Sequence, residues 1–443
     1  PITRDITGEE FYSTIYAIRE SKLQKGLIWV GANDGPVHVT RDGGQTWQDV
    51  TPKKLPPGGR VDCVEPSPHD PAKAYIAVLR YQLGDWRPWV FRTDDYGKHW
   101  TLLTDGTNGI PADHPVRVVR EDPERPGLLF AGTEYGMFVS FDDGKSWQPF
   151  QQNLPVTPVT DIKIHRGDLV LSTMGRGFWI LDDISALRQT FDASAPFLFR
   201  PQKSWRYRYG RSRGTEAVRA PDYPPPSVVI DYYLPANAEH PLRLEILNAR
   251  GEVVRVLEGE GARTEAAGAR EMQAEVAPLV TVARGLDGSK GLHRFRWDMR
   301  HTGPWHENPR RRGQGGPMVA PGTYTVRLVV DGQTLEQSFE LAADPRVLAA
   351  GITQEDMEAQ EALCLQVVAL LSEARQLAAR LRQEQKTLEA KTDRTEADEA
   401  RLETIRHKLD LLVTPEGRYP RPRLIDQIGY LYGIISRADQ RPG

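Results

Sequence analysis

The chain has 443 residues, a formal net charge of -3, 39% hydrophobic and 26% charged residues. That length predicts two to four domains, and the near-neutral balance gives no global attraction to nucleic acid or an anionic membrane. No run reaches the ~18 apolar residues of a membrane helix. The opening residues do not read as a signal peptide, and a chain beginning at Pro1 is expected to be a processed product or a fragment. Cys63 and Cys364 stand far apart, which excludes a disulfide framework and a cysteine zinc site and leaves the compartment open.

Residues 1–190 are dominated by an internal repeat. Thr40-Arg41-Asp42-Gly43-Gly44-Gln45-Thr46-Trp47 recurs as Thr93-Asp94-Asp95-Tyr96-Gly97-Lys98-His99-Trp100 and as Ser140-Phe141-Asp142-Asp143-Gly144-Lys145-Ser146-Trp147. The tryptophans return at about 50-residue spacing, the period of one four-stranded propeller blade. Short apolar runs precede the boxes, such as Leu27-Ile28-Trp29-Val30-Gly31 and Leu128-Leu129-Phe130-Ala131-Gly132, and read as strands buried on both faces. In each box the Asp accepts backbone N–H groups of its own turn. The Gly permits a positive φ, and the Trp packs under a neighbouring blade. Asp42, Asp95 and Asp142 are therefore read as structural, with Trp47, Trp100 and Trp147 as their anchors.

The three boxes fit S/T-x-D-x-G-x-x-W at every defined position and resemble the BNR/Asp-box superfamily, which includes sialidases, xyloglucanases and the sortilin propeller. A fourth, unboxed blade ends in Met174-Gly175-Arg176-Gly177-Phe178-Trp179-Ile180-Leu181-Asp182-Asp183-Ile184. That string is similar to the closing blade of large bacterial BNR-repeat or sortilin-type "glycosyl hydrolases", with Met174 where those carry His. The resemblance implies a partial propeller of about four blades in an extracytoplasmic bacterial protein.

Residues 191–226 read as a linker in which Trp205, Tyr207 and Tyr209 alternate with Arg206, Arg208, Arg211 and Arg213. Such a mixture can bind single strands of nucleic acid, but an irregular segment packed between domains is the preferred reading. Residues 227–343 are predicted to form a β-sandwich, with strands at 228–234, 242–247, 293–298 and 321–328 and a turn at Asp331-Gly332. The Trp297-Asp298-Met299-Arg300 and Pro321–Val326 strings resemble the Ig-like domain of the flagellar hook-cap type. The loop 304–317, with Arg310, Arg311 and Arg312, is read as a solvated insertion. In residues 344–443, Thr353 and Asp356 form a capping box. Leu363, Val367, Leu370, Ala374, Leu377 and Leu381 then follow at helical spacing. A charged bend at 391–399 leads to a second helix with Leu402, Ile405, Leu409 and Leu412. A third helix holds Leu424, Ile428, Leu431 and Ile435. The whole is thus mainly β: partial propeller, Ig-like sandwich, helical hairpin tail.

The loops between the second and third strands of each blade lie opposite the boxes. They present Asp34, then Tyr81, Asp85, Trp86 and Arg87, then Glu134 and Tyr135, then Arg176. Two carboxylates flanking a glycosidic bond can act as acid and base or nucleophile, which makes Asp34, Asp85 and Glu134 candidate catalytic residues. Tyr81, Trp86, Arg87, Tyr135 and Arg176 are candidate ligand contacts. Against catalysis, loops are acidic because they are solvated. The Asp-Ile-Gly-Gly motifs associated with xyloglucanases and the sialidase arginine triad are also absent. His301 and His306 lack zincin spacing, and Asp94-Asp95, Asp142-Asp143 and Asp182-Asp183 fall short of the ligands calcium takes. These Asp pairs could hold calcium only with water and carbonyls supplying the remaining ligands, and no cofactor or metal is otherwise expected. The preferred function is a non-catalytic interaction or scaffold protein binding protein or glycan through the propeller face. The alternative is a xyloglucanase- or sialidase-like glycoside hydrolase. Another polypeptide, or missing upstream blades, is expected to complete the ring.

Overall fold

The computed structural model describes residues 13–208, 225–259, 285–418 and 420–442. The chain divides into two compact units, Pro1–Arg188 and Gln189–Gly443.

The first unit is a series of small antiparallel meanders. Blade 1 holds β1 (Ile15–Glu20), β2 (Ile28–Ala32), β3 (Val37–Thr40) and β4 (Gln48–Asp49). Blade 2 holds β5 (Arg60–Pro66), β6 (Ala74–Leu79), β7 (Trp89–Thr93) and β8 (Thr101–Leu102). Blade 3 holds β9 (Val116–Glu121), β10 (Leu129–Thr133), β11 (Gly136–Ser140) and β12 (Gln148–Pro149). Blade 4 has three strands among the described residues, β13 (Val159–His165), β14 (Asp168–Thr173) and β15 (Phe178–Leu181). Neighbouring blades pack face to face. One apolar cluster joins Trp29, Val37 and Val39 to Val64, Ile76 and Phe91. A second runs from Tyr75 and Ala77 through Phe130 and Phe138 to Ile162 and Leu171. Gly132 is needed for this approach, because a Cβ there would meet Val159 Cγ1 at 2.8 Å.

The box turns have one geometry three times over. Asp42 Oδ1 accepts the Thr46 N–H, Asp95 Oδ1 that of His99, and Asp142 Oδ1 that of Ser146, each at 2.9 Å. The hydroxyls of Thr40, Thr93 and Ser140 take the N–H of Gly44, Gly97 and Gly144, also at 2.9 Å. Both residues after the Asp adopt positive φ, for example Tyr96 at 61° and Gly97 at 85°. These bonds hold the Asp42 carboxyl well below the usual carboxylate range, the Thr46 hydroxyl and N–H contributing most.

The tryptophans behave unequally. Trp147 donates to the Leu103 carbonyl at 3.2 Å and Trp100 to the Val50 carbonyl at 2.6 Å, so each seats on the preceding blade. Trp47, expected to pack likewise, is 45% exposed. The described residues contain no blade ahead of blade 1 for it to sit on.

The second unit contains a two-sheet sandwich. One sheet pairs β16 (Phe197–Leu198), β18 (Val228–Leu234) and β21 (Gly291–Trp297). The other runs β17 (Ser204–Arg206), β23 (Gln333–Ala343), β22 (Gly322–Val330), β19 (Arg243–Leu247), β20 (Val253–Glu258). Their inner faces share one core around Ile230, Trp297, Val326 and Phe339. Asp331 and Gly332 have φ of 44° and 83°, the two positive values a tight hairpin requires.

Two sequence expectations are corrected here. The segment read as a linker supplies two strands of the sandwich, β16 and β17. Its Arg206 is buried, donating to the Val319 carbonyl and, at 2.7 Å, to Asp439; Tyr209, Arg211 and Arg213 lie outside the described residues. The loop 304–317 is not simply a solvated insertion, since the Trp305 N–H donates to Ser372 Oγ at 3.0 Å and Arg375 to the Trp305 carbonyl.

The tail comprises α1 (Pro345–Ala349), α2 (Gln354–Glu389), α3 (Glu396–Leu412) and α4 (Leu424–Ser436). Thr353 and Asp356 form the predicted capping box, and Thr395 and Asp398 form a second. The second box starts α3 inside the stretch read as a bend. By length and composition α2 includes a window apolar enough to cross a membrane, which counting uninterrupted apolar runs had missed. Its buried Ala378 and Leu381 pack against Ile405 and Leu412 of α3.

Candidate functional site

The meander order fixes which loops share an end. The start of each inner strand, the turn between its second and third strands, and the loop after its fourth strand lie together, opposite the boxes. Contacts between blades join these regions: Arg80, just after β6, donates to the carbonyls of Pro56 and Pro57 after blade 1 at 2.8 and 3.0 Å.

Every inner strand carries an irregularity at this end. Pairing skips Tyr16 in β1, Asp62 in β5, Arg117 in β9 and Thr160 in β13. A β-bulge leaves one residue unpaired and re-aims its side chain, and bulges are enriched beside functional sites. Here they assemble an ionic chain. Arg60 bonds Asp62, whose Oδ2 lies 3.7 Å from Arg117 Nη1, and Arg117 Nε donates to Glu134 at 2.5 Å. The Arg60 guanidinium lies 4.4 Å from the Tyr16 ring centroid and that of Arg117 5.9 Å from Tyr81. Burial pushes the Asp62 carboxyl up, by more than Arg60 and Arg117 draw it down.

The candidate residues fall into two groups. Glu134 belongs to this chain of charges, with Tyr81 beside it. Asp85 is gripped by Arg80 (3.0 Å), Arg87 (2.8 Å) and the Trp89 indole N–H (3.0 Å). Burial acts to raise the Asp85 carboxyl, but these donors outweigh it and leave it at about 2. Asp34 stands apart. Its Oδ2 accepts the Ser13 hydroxyl at 2.5 Å, and its buried Oδ1 has no hydrogen-bond partner among the described residues. Asp34 opens onto a cavity of about 420 Å³ with Ile15, Val30, His38 and Trp47, on the upstream side of blade 1. Each of the three carboxylates therefore has its own set of partners.

Trp86 and Tyr135 are exposed, Trp86 leaning on Tyr81 at 5.8 Å and Tyr135 on His114 at 4.7 Å. Arg87 is exposed and lies over Trp89 at 4.5 Å, and Arg176 is exposed on the blade 4 loop. Sequence reasoning missed Tyr16, Arg60, Asp62 and Arg117. The signal was present as polar residues opening otherwise apolar inner strands, but only the bulges aim them together.

The remaining metal candidates have other partners. Asp143 is bonded by Lys73, Tyr75 and Arg92 at 2.6–2.8 Å, His301 by Glu361, and His306 Nδ1 by the Asn308 N–H. Among the described residues no cluster of three His, Cys, Asp or Glu side chains could hold a metal ion. In the second unit a cavity of about 360 Å³ is lined by Trp305, Arg311, Arg375 and Arg382 together with Glu307 and Asp426.

No protein-family model and no curated protein matches the chain. Solved structures do. YCF48 from Cyanidioschyzon merolae is 18% identical over 39% of this chain and 54% of its own, with a TM-score of 0.28. The GH74 enzyme of Niastella koreensis is 10% identical over 74% of this chain and 46% of its own, TM-score 0.32. The GH74 xyloglucanase from Xanthomonas campestris is 11% identical over 74% and 47%, TM-score 0.32. This chain spans about half the length of each. The chain's own sheet order and box turns carry the assignment: a mainly β protein of propeller blades followed by a sandwich and a helical region.

Proposed function

We propose that this protein is a non-catalytic, extracytoplasmic interaction module of the BNR/Asp-box type that binds a protein or glycan at the loop end of its blades. One observation carries the reading. At this end Asp85 and Glu134 are held by arginines, while Trp86 and Tyr135 remain exposed. A carboxylate fixed at about 2 cannot act as a general acid near neutral pH. Exposed aromatics on a rigid scaffold supply contact area to a sugar ring or an apolar side chain at small entropic cost.

The competing reading is a glycoside hydrolase, for which Asp62 offers a carboxyl raised by burial on the same guanidinium as Glu134. Both readings are tested together. The purified chain is titrated with xyloglucan oligosaccharides, sialosides and a panel of extended peptides, and assayed for reducing-sugar release. The binding reading expects saturable binding that Trp86→Ala and Tyr135→Ala weaken at least tenfold, with no turnover. Turnover abolished by Glu134→Gln, or by the combined Asp34, Asp85 and Glu134 alanine variant, would overturn it.

A further inference from the structure

The strand registers give each blade a matching set of upstream-facing residues. In blade 2, Val64 pairs Ile76 and Ile76 pairs Phe91. In blade 3, Val119 pairs Ala131 and Ala131 pairs Phe138. In blade 4, Ile162 pairs Leu171 and Leu171 pairs Trp179. The blade 1 equivalents are Ile18, Val30 and His38, with Trp47 completing the row as Trp100 and Trp147 do. The inner-strand member is 2% exposed at Val64, 0% at Val119 and 1% at Ile162, but 61% at Ile18. The box glycines tell the same story. A Cβ on Gly97 would meet Val50 at 2.6 Å and one on Gly144 would meet Leu103 at 2.6 Å, whereas near Gly44 there is only the Trp47 ring. Blade 1 therefore carries a complete docking surface of the kind blades 2 and 3 use, without its counterpart among the described residues.

We infer that the Ile18–Val30–His38–Trp47 side of blade 1 docks one further four-stranded blade, joined ahead of β1 in the same polypeptide. The occupant's chemistry follows from the two boxed interfaces already formed. Val50 and Leu103 each follow a fourth strand, press on the box glycine and offer a carbonyl to the indole N–H. The docked blade must supply the same pair of features to Gly44 and Trp47. Among the described residues a second copy's blade 4 does not meet this need, since its three strands end at β15 with no fourth strand to carry the acceptor. The direction follows from topology: Ser13 and Thr14 enter β1 at the end where loops 50–59 and 103–115 bring the chain from one blade to the next. Their N–H groups are held by Asn33 Oδ1 at 3.0 and 3.1 Å. The docked blade would also cover the cavity that Asp34 lines with Ile15, Val30, His38 and Trp47. This inference does not depend on the ligand taken at the loop end.

The test compares the chain as it stands with the same chain extended by the residues that precede Pro1 in its own reading frame. Solvent exchange of the Trp47 indole N–H, assigned with a Trp47→Phe variant, is expected to slow at least tenfold in the extended protein. Ile18→Arg is expected to leave the melting of the short chain unchanged and to restore fast Trp47 exchange in the extended one. Unchanged Trp47 exchange on extension, or a reading frame holding no such blade, would overturn the inference. So would concentration-dependent dimerisation of the short chain that Ile18→Arg abolishes, because the occupant would then be a second copy.

Discussion

The three box tryptophans offer a graded test of the blade assignment. Trp147 is 4% exposed, its indole bonded to Leu103 and its backbone N–H to the Asn108 carbonyl at 2.8 Å. The blade 2 loop leaves it no room to relax, since a Cβ on Gly109 would fall 1.9 Å from the Trp147 carbonyl oxygen. Emptying such a site costs about 3–5 kcal/mol, because neighbours held by backbone cannot collapse into the void. Trp100, half-buried on Val50, is expected to cost less, about 2–3 kcal/mol. Trp47, half-exposed and with no blade beneath it among the described residues, should cost no more than about 0.5 kcal/mol, as at other surface positions. For a unit of this size each kcal/mol moves Tm by roughly 2–4 °C. Trp147→Ala should therefore lower the melting temperature of the blades by on the order of 10 °C, while Trp47→Ala leaves it nearly unchanged. Calorimetry of the three alanine variants, at concentrations where the chain is monomeric, gives the order directly. If Trp47→Ala were as damaging as Trp147→Ala, the argument that each tryptophan serves the blade before it would fail.

Other outcomes follow from single interactions. Asp142→Ala should cost about 1–3 kcal/mol in urea unfolding, since the Ser146 N–H and the hydroxyls of Ser140 and Ser146 lose their acceptor. Arg120 lies buried between Asp161 (2.6 Å) and Glu65 (3.3 Å), so Arg120→Met should destabilise by about 3–5 kcal/mol. Burial already raises the Glu65 carboxyl, so the loss should be smaller at pH 5 than at pH 8, where the stranded group must stay charged. Asp85 works in the opposite direction. Its folded carboxyl is depressed to about 2, so its contribution is complete above the ordinary carboxylate range and disappears as pH falls towards 2. Asp85→Asn should flatten that part of the acid denaturation curve and leave the slope above pH 5 unchanged. Thr353→Ala should remove about 1 kcal/mol from the tail by opening the capping box, measurable as earlier loss of helical circular dichroism.

The sequence by itself determined what local chemistry controls. A Ser or Thr, an Asp and a Gly at fixed spacing dictate a turn whose bonds all lie within eight residues, so the boxes and their structural role were legible. The hairpin at Asp331-Gly332 and the Thr353 cap were legible for the same reason. Tertiary structure decided what depends on partners far along the chain. Trp47 has the sequence context of Trp147 and the opposite burial, because burial belongs to the facing blade. Arg206 reads as one of a basic, aromatic run, yet lies buried on Asp439, 233 positions away. The expected set of Asp34, Asp85 and Glu134 was drawn from loop position alone. The cluster that formed, Tyr16, Asp62 and Arg117, arises because a bulge at the same place in each inner strand turns the side chain of the residue skipped in the strand register towards the loop end, and no periodicity in one strand reveals where its pairing will slip.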